Sequence, residues 1–326
     1  MTSQSPPTLD PVALESFKAT QNSKHPIWLH EEVSTRMRQR LEWFKEKPVS
    51  LIDWEPLNGG LKGHLNLQRM YPSANITILE HNEERLKDAR AQLYRSWLTG
   101  LMELRGLKGL LPVVKDLKIS RRGKQSFIIN PLNTHANDAN KPPLKVNLIW
   151  ANMLLHLVPN PLELIKEWHK SLQVGGWVMF SCLGPDTTKE LRSLYERLGW
   201  PEPSHHFTDM HDWGDMLVEA GFSDPVMDME RITLTYSSSE ALIKELRTLG
   251  KNFHSKRFAN LRGRKWLESL KTNLLTLNTN QDTSLDPTLP LTFEIIYGHA
   301  FKVAPKVKVA PTTSFSEDDF KAMLKR

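Results

Sequence analysis

Apolar and polar positions alternate along this chain with two periods, and the switches between them mark its elements. From Ile27 onward, Trp28, Leu29, Val33, Met37 and Leu41 recur at three- and four-residue steps, with Arg36, Arg38 and Arg40 between them. That is the pattern of an amphipathic helix. Residues 49–54 (VSLIDW) read as a short buried strand with Asp53 near its end, and the turn Asn58-Gly59-Gly60 follows. A helix is predicted over Leu61–Met70, stopping before Pro72, and a second strand over residues 76–80, ending in Glu80. Asn82 is a good N-cap for the next helix, with Glu83 and Glu84 placed to complement its dipole. Strand, glycine turn, helix, strand and helix together make a βαβ unit.

The region 106–144 is basic and turn-rich, with one apolar run at 127–129 that suits a third strand. A fourth is predicted at Val146–Ala151. Residues 161–174 pattern as a helix, with Leu162, Ile165, Trp168 and Leu172 on one side and Glu163, Lys166 and Lys170 on the other. Gly175-Gly176 is expected to stop it, ahead of a fifth strand at 177–183. A helix at 209–220 closes on Gly221. Strand character returns at 226–236 and at 291–303, where Leu291, Phe293, Ile295, Tyr297, His299, Phe301 and Val303 alternate with Thr292, Glu294, Gly298 and Lys302. Strand–helix alternation over the first two-thirds, with no large helix expected between the last strands, predicts an α/β fold. Its sheet is open and mainly parallel, with a hairpin at one edge.

The same pattern sets the domain organisation. Residues 1–26 are polar and proline-bearing and read as a flexible N-terminus; 27–303 form one domain, with insertions at about 106–144 and 271–290. Residues 304–326 read as a linker into a short helix capped by Ser316, with Asp319 three positions on. No internal repeat interrupts this plan.

Composition narrows the class. Of 326 residues, 39% are apolar and 25% charged, enough for a sizeable core and too ordered a mixture for wholesale disorder. The net charge of +6 favours acidic partners only mildly. One cysteine, Cys182, excludes a disulfide framework or a thiolate metal cluster. The first residues (MTSQSPPTLD) lack a basic, then apolar, leader, and the most apolar stretch, 146–158, is short and broken by Asn147, Asn152 and His156. A cytoplasmic protein that spans no membrane is expected.

In open α/β sheets ligands bind beyond the carboxyl ends of the strands. Three such ends carry chemistry here: Asp53 with the Asn58-Gly59-Gly60 turn, Glu80, and Asn152. A carboxylate ending the second strand can accept both ribose hydroxyls of a nucleoside, and Glu80 lies 21 residues beyond Gly59, close to the spacing for that role. On these residues alone, the glycine pair is equally a plain turn. His205, His206 and His211 near Asp209 fit no tetrahedral metal spacing; they read as surface histidines beside a helix N-cap. Cys182 reads as a small buried hydrophobe.

Residues 147–158 (NLIWANMLLHLV), Gly175-Gly176 and residues 177–190 (WVMFSCLGPDTTKE) resemble S-adenosylmethionine-dependent methyltransferases, and among them the malonyl-carrier-protein O-methyltransferases of biotin synthesis. Residues 207–236 (FTDMHDWGDMLVEAGFSDPVMDMERITLTY), 246–252 (LRTLGKN) and 292–301 (TFEIIYGHAF) carry the same resemblance, which runs from about residue 28 to residue 303. It implies a Rossmann-like class I methyltransferase: a mainly parallel seven-stranded sheet with an antiparallel edge hairpin and helices on both faces. It implies S-adenosyl-L-methionine as cofactor, with Glu80 on the ribose and Asp53, Asn58, Gly59, Gly60 and Asn152 completing the cofactor site. On the acceptor side it brings in His156, Arg247, Tyr297 and His299, without a dedicated catalytic residue. The family's first motif reads roughly L-D-x-G-x-G-x-G; this chain reads Ile52-Asp53-Trp54-Glu55-Pro56-Leu57-Asn58-Gly59-Gly60. Trp54, Glu55 and Leu57 are expected to crowd the methionine end of the cofactor.

The acceptor implied by the resemblance is a malonyl thioester on an acidic acyl-carrier protein. Lys244, Arg247, Lys251, Lys256, Arg257, Arg262, Arg264 and Lys265, with Glu245 the one acidic residue among them, form a patch that could receive it. A solvated basic face is the plainer reading, and Phe253, Phe258 and Trp266 leave nucleic acid as a lower-ranked partner. Two alternatives stay open beside the leading one. The chain could methylate a different protein or small carboxylate, or it could serve as a binding and assembly module on a methyltransferase scaffold.

Overall fold

The computed structural model describes residues 9–20, 27–103, 124–129, 144–258, 260–278 and 288–304. Helix α1 (Pro11–Thr20) precedes α2 (Trp28–Leu41), β1 (Ser50–Trp54), the single turn α3 (Pro56–Gly59), α4 (Leu61–Met70), β2 (Asn75–Glu80) and α5 (Glu83–Glu103). Then come β3 (Gln125–Ile129), β4 (Val146–Ala151), a 3-10 turn (Leu155–Leu157), α6 (Pro161–Ser171) and β5 (Leu172–Leu183). The chain continues through α7 (Lys189–Arg197), α8 (Met210–Glu219), β6 (Ser223–Tyr236), α9 (Ser239–Leu249), α10 (Arg264–Leu274) and β7 (Leu289–Phe301).

The strands form one seven-stranded sheet in the order β3-β2-β1-β4-β5-β7-β6. β1 to β5 pair in parallel, while β7 runs antiparallel to both β5 and β6. Alternate strand residues feed two cores. Leu51, Ile76, Ile78, Leu148, Trp150 and Met179 face one side with α2, α4, α7, α9 and α10. Ile52, Leu79, Ile149, Val178, Phe180 and Cys182 face the other, against Ile165 and Trp168 of α6 and Trp213 and Leu217 of α8. Both faces are thus covered by helices, as a parallel sheet requires.

Several boundaries differ from the sequence expectation for physical reasons. The edge pair is not a tight hairpin: α9 and α10 lie between β6 and β7, and β7 slots between β5 and β6. Helix α6 ends at Ser171, before the glycine pair, and Gly175-Gly176 lies inside β5. There Gly175 N–H donates to Lys302 O (2.7 Å), Lys302 N–H donates to Gly176 O (2.8 Å), and Gly175 has φ +83°. The pair is a bend in a strand, not a helix stop. Part of the region expected to be a flexible N-terminus is helical: Asp10 caps α1 by accepting from the N–H groups of Val12 and Ala13, and Leu14 is fully buried with Leu9 and Phe253. Residues 271–274, expected to be loop, belong to α10. Most of the insertion at 106–144, and the tail from 305 on with its expected helix, lie outside the described residues.

Candidate active site

The carboxyl ends of β1, β2 and β4 converge, and α2 lies across them. Among the sequence candidates, Asp53, Asn58, Gly59, Gly60, Glu80, Asn152 and His156 are brought together there. Asp53 accepts from His64 Nδ1 of α4 at 2.7 Å, and the other ring nitrogen of His64 accepts from Gln125 of β3 at 3.1 Å. Asp53 therefore fixes α4 on the sheet and is nearly buried.

Asn152 ties four elements. Its amide donates to His30 O of α2 (2.8 Å) and to Gly59 O, and its oxygen accepts from Ser181 Oγ of β5 (2.6 Å). Asn58 in turn donates to Met153 O (3.1 Å), and its own carbonyl accepts from His30 Nδ1 (2.5 Å). The chain packs so closely that a Cβ on Gly59 would come within 2.9 Å of Asn152 O, so no larger residue fits there.

The rewritten glycine motif is accommodated in an unexpected way. Trp54 turns into the core on the α6 side, with its ring 5.9 Å from that of Trp168, so it does not crowd the cleft. Glu55 adopts a left-handed conformation (φ 52°) suited to glycine, at a cost of about 1–2 kcal/mol, and its N–H is held by Leu79 O at 2.8 Å. Pro56 then starts α3 with no N–H to satisfy. The first free N–H of that turn, on Leu57, donates to Glu80 Oε1 at 2.9 Å. Glu80 Oε2 accepts from Arg85 Nε at 3.1 Å, and Asn82 caps α5 by accepting Arg85 N–H, as its sequence position predicts. Glu80 has no exposed surface at all. Burial pushes its carboxyl up to about 7, against the opposing pull of Arg85.

Residues the sequence reading did not single out complete the cluster. Glu31 of α2 accepts Lys62 N–H at 2.9 Å and so caps the N-terminus of α4; burial pushes its carboxyl up. His30, His156 and His205 lie nearby, each held well below the ordinary histidine range by burial, to about 4 for His30 and His205. They are uncharged at neutral pH. His156 accepts from Leu183 N–H (3.4 Å), and His205 Nε2 donates to His156 O (3.2 Å). The signal for His30 and Glu31 was present: two polar residues stand beside the apolar stripe of an otherwise regular helix. Nothing in the sequence signalled that His64 or Ser181 would close the network.

Three expected acceptor residues stand on β7 and α9. Tyr297 pairs with Ser181, the residue bonded to Asn152, and with Asp228, so it stands level with the carboxyl end of β4; its hydroxyl donates to Glu230, and the Arg40 guanidinium of α2 covers its ring at 3.7 Å. His299 pairs with Met179, in register with Trp150 and Asp53, and packs on Phe44 at 5.0 Å. Arg247 is exposed on α9, which packs on β6. The loop after β5, rich in recognised motif residues, is pinned to β7: Glu294 accepts Asp186 N–H (2.5 Å), Thr187 Oγ1 donates to Glu294 O, and Thr292 N–H donates to Glu190 (3.0 Å). His211 is exposed beside Asp209, which caps α8, and Cys182 is buried with its thiol pushed up. Among the described residues, His, Cys, Asp and Glu form no group of three or more that could hold a metal, and no helix is long and apolar enough to cross a membrane.

The donor set suits an S-adenosyl group in kind. A carboxylate at a strand end, as Glu80 is, can accept ribose hydroxyls, and a helix N-terminus, as that of α4 is, can receive an amino-acid carboxylate. As folded, both are engaged by the chain itself: Glu80 by Leu57 and Arg85, and the α4 N-terminus by Glu31.

A methyltransferase-domain family model matches residues 63–224. Malonyl-[acyl-carrier protein] O-methyltransferase from Gallionella capsiferriformans is 35% identical over 282 residues, covering 86% of each chain. The proteins of that name from Nitrosospira multiformis and Laribacter hongkongensis are 32% and 31% identical over 86% and 85% of this chain, and 85% and 84% of their own. A solved structure from Bacillus halodurans C-125, assigned as a methyltransferase, superposes with a TM-score of 0.50 at 15% identity, over 84% of this chain and all of its own, and shares the fold.

Proposed function

The chain belongs to the malonyl-[acyl-carrier protein] O-methyltransferase family, and from that premise we propose that it methylates the free carboxyl of a malonyl thioester carried on an acyl-carrier protein, a step of biotin-precursor synthesis. The observation that carries the reading is the convergence of Glu80, the α4 N-terminus and Asn152 at the carboxyl ends of adjacent strands, within a chain matched over most of its length.

S-adenosylmethionine supplies, when bound, a methyl group made electrophilic by its sulfonium. We assign Glu80 to its ribose, and Asp53, Asn58, Gly59, Gly60 and Asn152 to shaping the cleft that receives the rest. Those residues act mainly through each other: Asn152 and Asn58 position the loop, and Asp53 positions α4 through His64. A carboxylate acceptor is already nucleophilic, so no general base is needed. Cation and anion combine, and charge disappears in the transition state, so a dry wall without fixed charge favours the reaction. The buried, uncharged imidazoles of His30, His156 and His205 provide such a wall.

The carrier docks, in this reading, on the patch at 251–265. Lys251, Lys256, Arg264 and Lys265 are exposed there; Arg257 pairs with Asp10 at 2.7 Å, and Arg262 stacks 4.1 Å over Trp266 and 4.6 Å over Phe258. Leu261 is fully exposed among them. The patch borders the functional end, since Phe253 packs on α1 and lies 5.8 Å from His205. Incubating the protein with S-adenosylmethionine and malonyl-loaded carrier, then weighing the carrier by mass spectrometry, tests the proposal. One added methyl on malonyl carrier and none on acetyl carrier is expected; no added methyl from folded protein overturns it.

A further inference from the structure

The two groups that would recognise the donor are occupied by partners that imitate it. Leu57 N–H and Arg85 Nε donate to Glu80, as ribose hydroxyls would. Glu31 offers the α4 N-terminus a carboxylate, as the amino-acid end of the donor would. The fit is tight on both sides. Glu80 has no surface against which a ribose could stand, and a Cβ on Gly60 (φ +99°) would come within 2.9 Å of Glu31 Oε2.

Resting on the donor-site reading above, we propose that Glu31, Leu57 and Arg85 set this chain's donor affinity by holding the cleft closed in the free protein, so that the donor binds by displacing them. The three come from separate elements: α2, α3 and α5. Displacement therefore moves the loop 55–60 and the start of α2 away from the sheet, and the free energy of that release is subtracted from donor binding. The rewritten glycine motif supports the same conclusion. Pro56 starts the turn α3, whose first N–H, on Leu57, reaches Glu80.

The test is calorimetric titration with S-adenosylhomocysteine of the full chain and of Glu31→Ala, Glu31→Gln, Arg85→Met and Glu80→Gln, each checked by circular dichroism, with amide exchange followed over residues 55–62. Glu31→Ala and Arg85→Met are expected to bind at least about tenfold tighter than the unaltered chain, with Glu31→Gln between. In Glu31→Ala the Lys62 amide exchanges faster before any ligand is added. Equal or weaker binding by folded Glu31→Gln and Arg85→Met, or binding by no variant, overturns the proposal. If the ligand binds and Glu80→Gln matches the unaltered chain, the donor-site assignment itself falls, and the closure with it.

Discussion

Glu80 shows how much a single residue's environment decides. Its place at the end of a strand, 21 residues beyond Gly59, was readable from spacing; its partners were not, because Arg85 and Leu57 reach it only once the loop has folded back. A carboxylate raised from its ordinary value to about 7 favours the folded state most when protonated. That contribution is fully present below the unfolded value of about 4.5 and is lost as pH rises through about 7, a change on the order of 3 kcal/mol. Urea unfolding between about pH 5 and pH 8 should therefore show the native chain losing stability relative to Glu80→Gln. Parallel pH dependence of the two would contradict the burial of an ionisable Glu80. The motif residues of YGHAF were legible as a pattern but not as roles. Gly298 is required because Phe180 packs directly over it, and Tyr297 carries the Arg40 contact of α2 beside Ser181, the partner of Asn152.

At the scale of elements, periodicity located the strands and most helices, since apolar residues that alternate or recur at helical steps must face a core. It failed where backbone pairing overrode composition. Gly175-Gly176 reads as a helix stop, yet its bonds to Lys302 draw it into β5. Helix α1 was hidden by its polar neighbourhood; Leu9 and Leu14 find their partner, Phe253, more than two hundred residues away in sequence. Because α1 is attached through this small cluster and through Asp10 to Arg257, Leu14→Ala should release α1 locally, costing about 2–3 kcal/mol of protection. Amide exchange should accelerate over residues 9–20 while the sheet stays protected. Exchange unchanged over those residues would show that the cluster does not hold the helix.

For the whole molecule, the sheet order and the pile-up of polar residues at one end follow from right-handed parallel crossovers, which place the carboxyl ends of β1, β2 and β4 side by side. The sequence motifs after residue 147 identified the family; the altered loop before them indicated where this chain departs from it. The basic patch belongs to this scale because it acts on a partner. Reversing Arg264 and Lys265 to Glu should raise KM for a carrier-borne acceptor about tenfold and steepen no other parameter, with the effect shrinking at high salt. An unchanged KM at low salt would place docking on another face.

The central claim joins the reaction to the cleft at Glu80, and one measurement addresses both: the rate of methyl transfer to malonyl carrier as donor concentration is varied, for the unaltered chain and Glu80→Gln. The account predicts transfer by the unaltered chain and a donor KM raised about tenfold or more in the variant, with the carrier KM unchanged. Transfer with the same donor KM in both would move the donor site away from Glu80, and no transfer by either would contradict the account altogether.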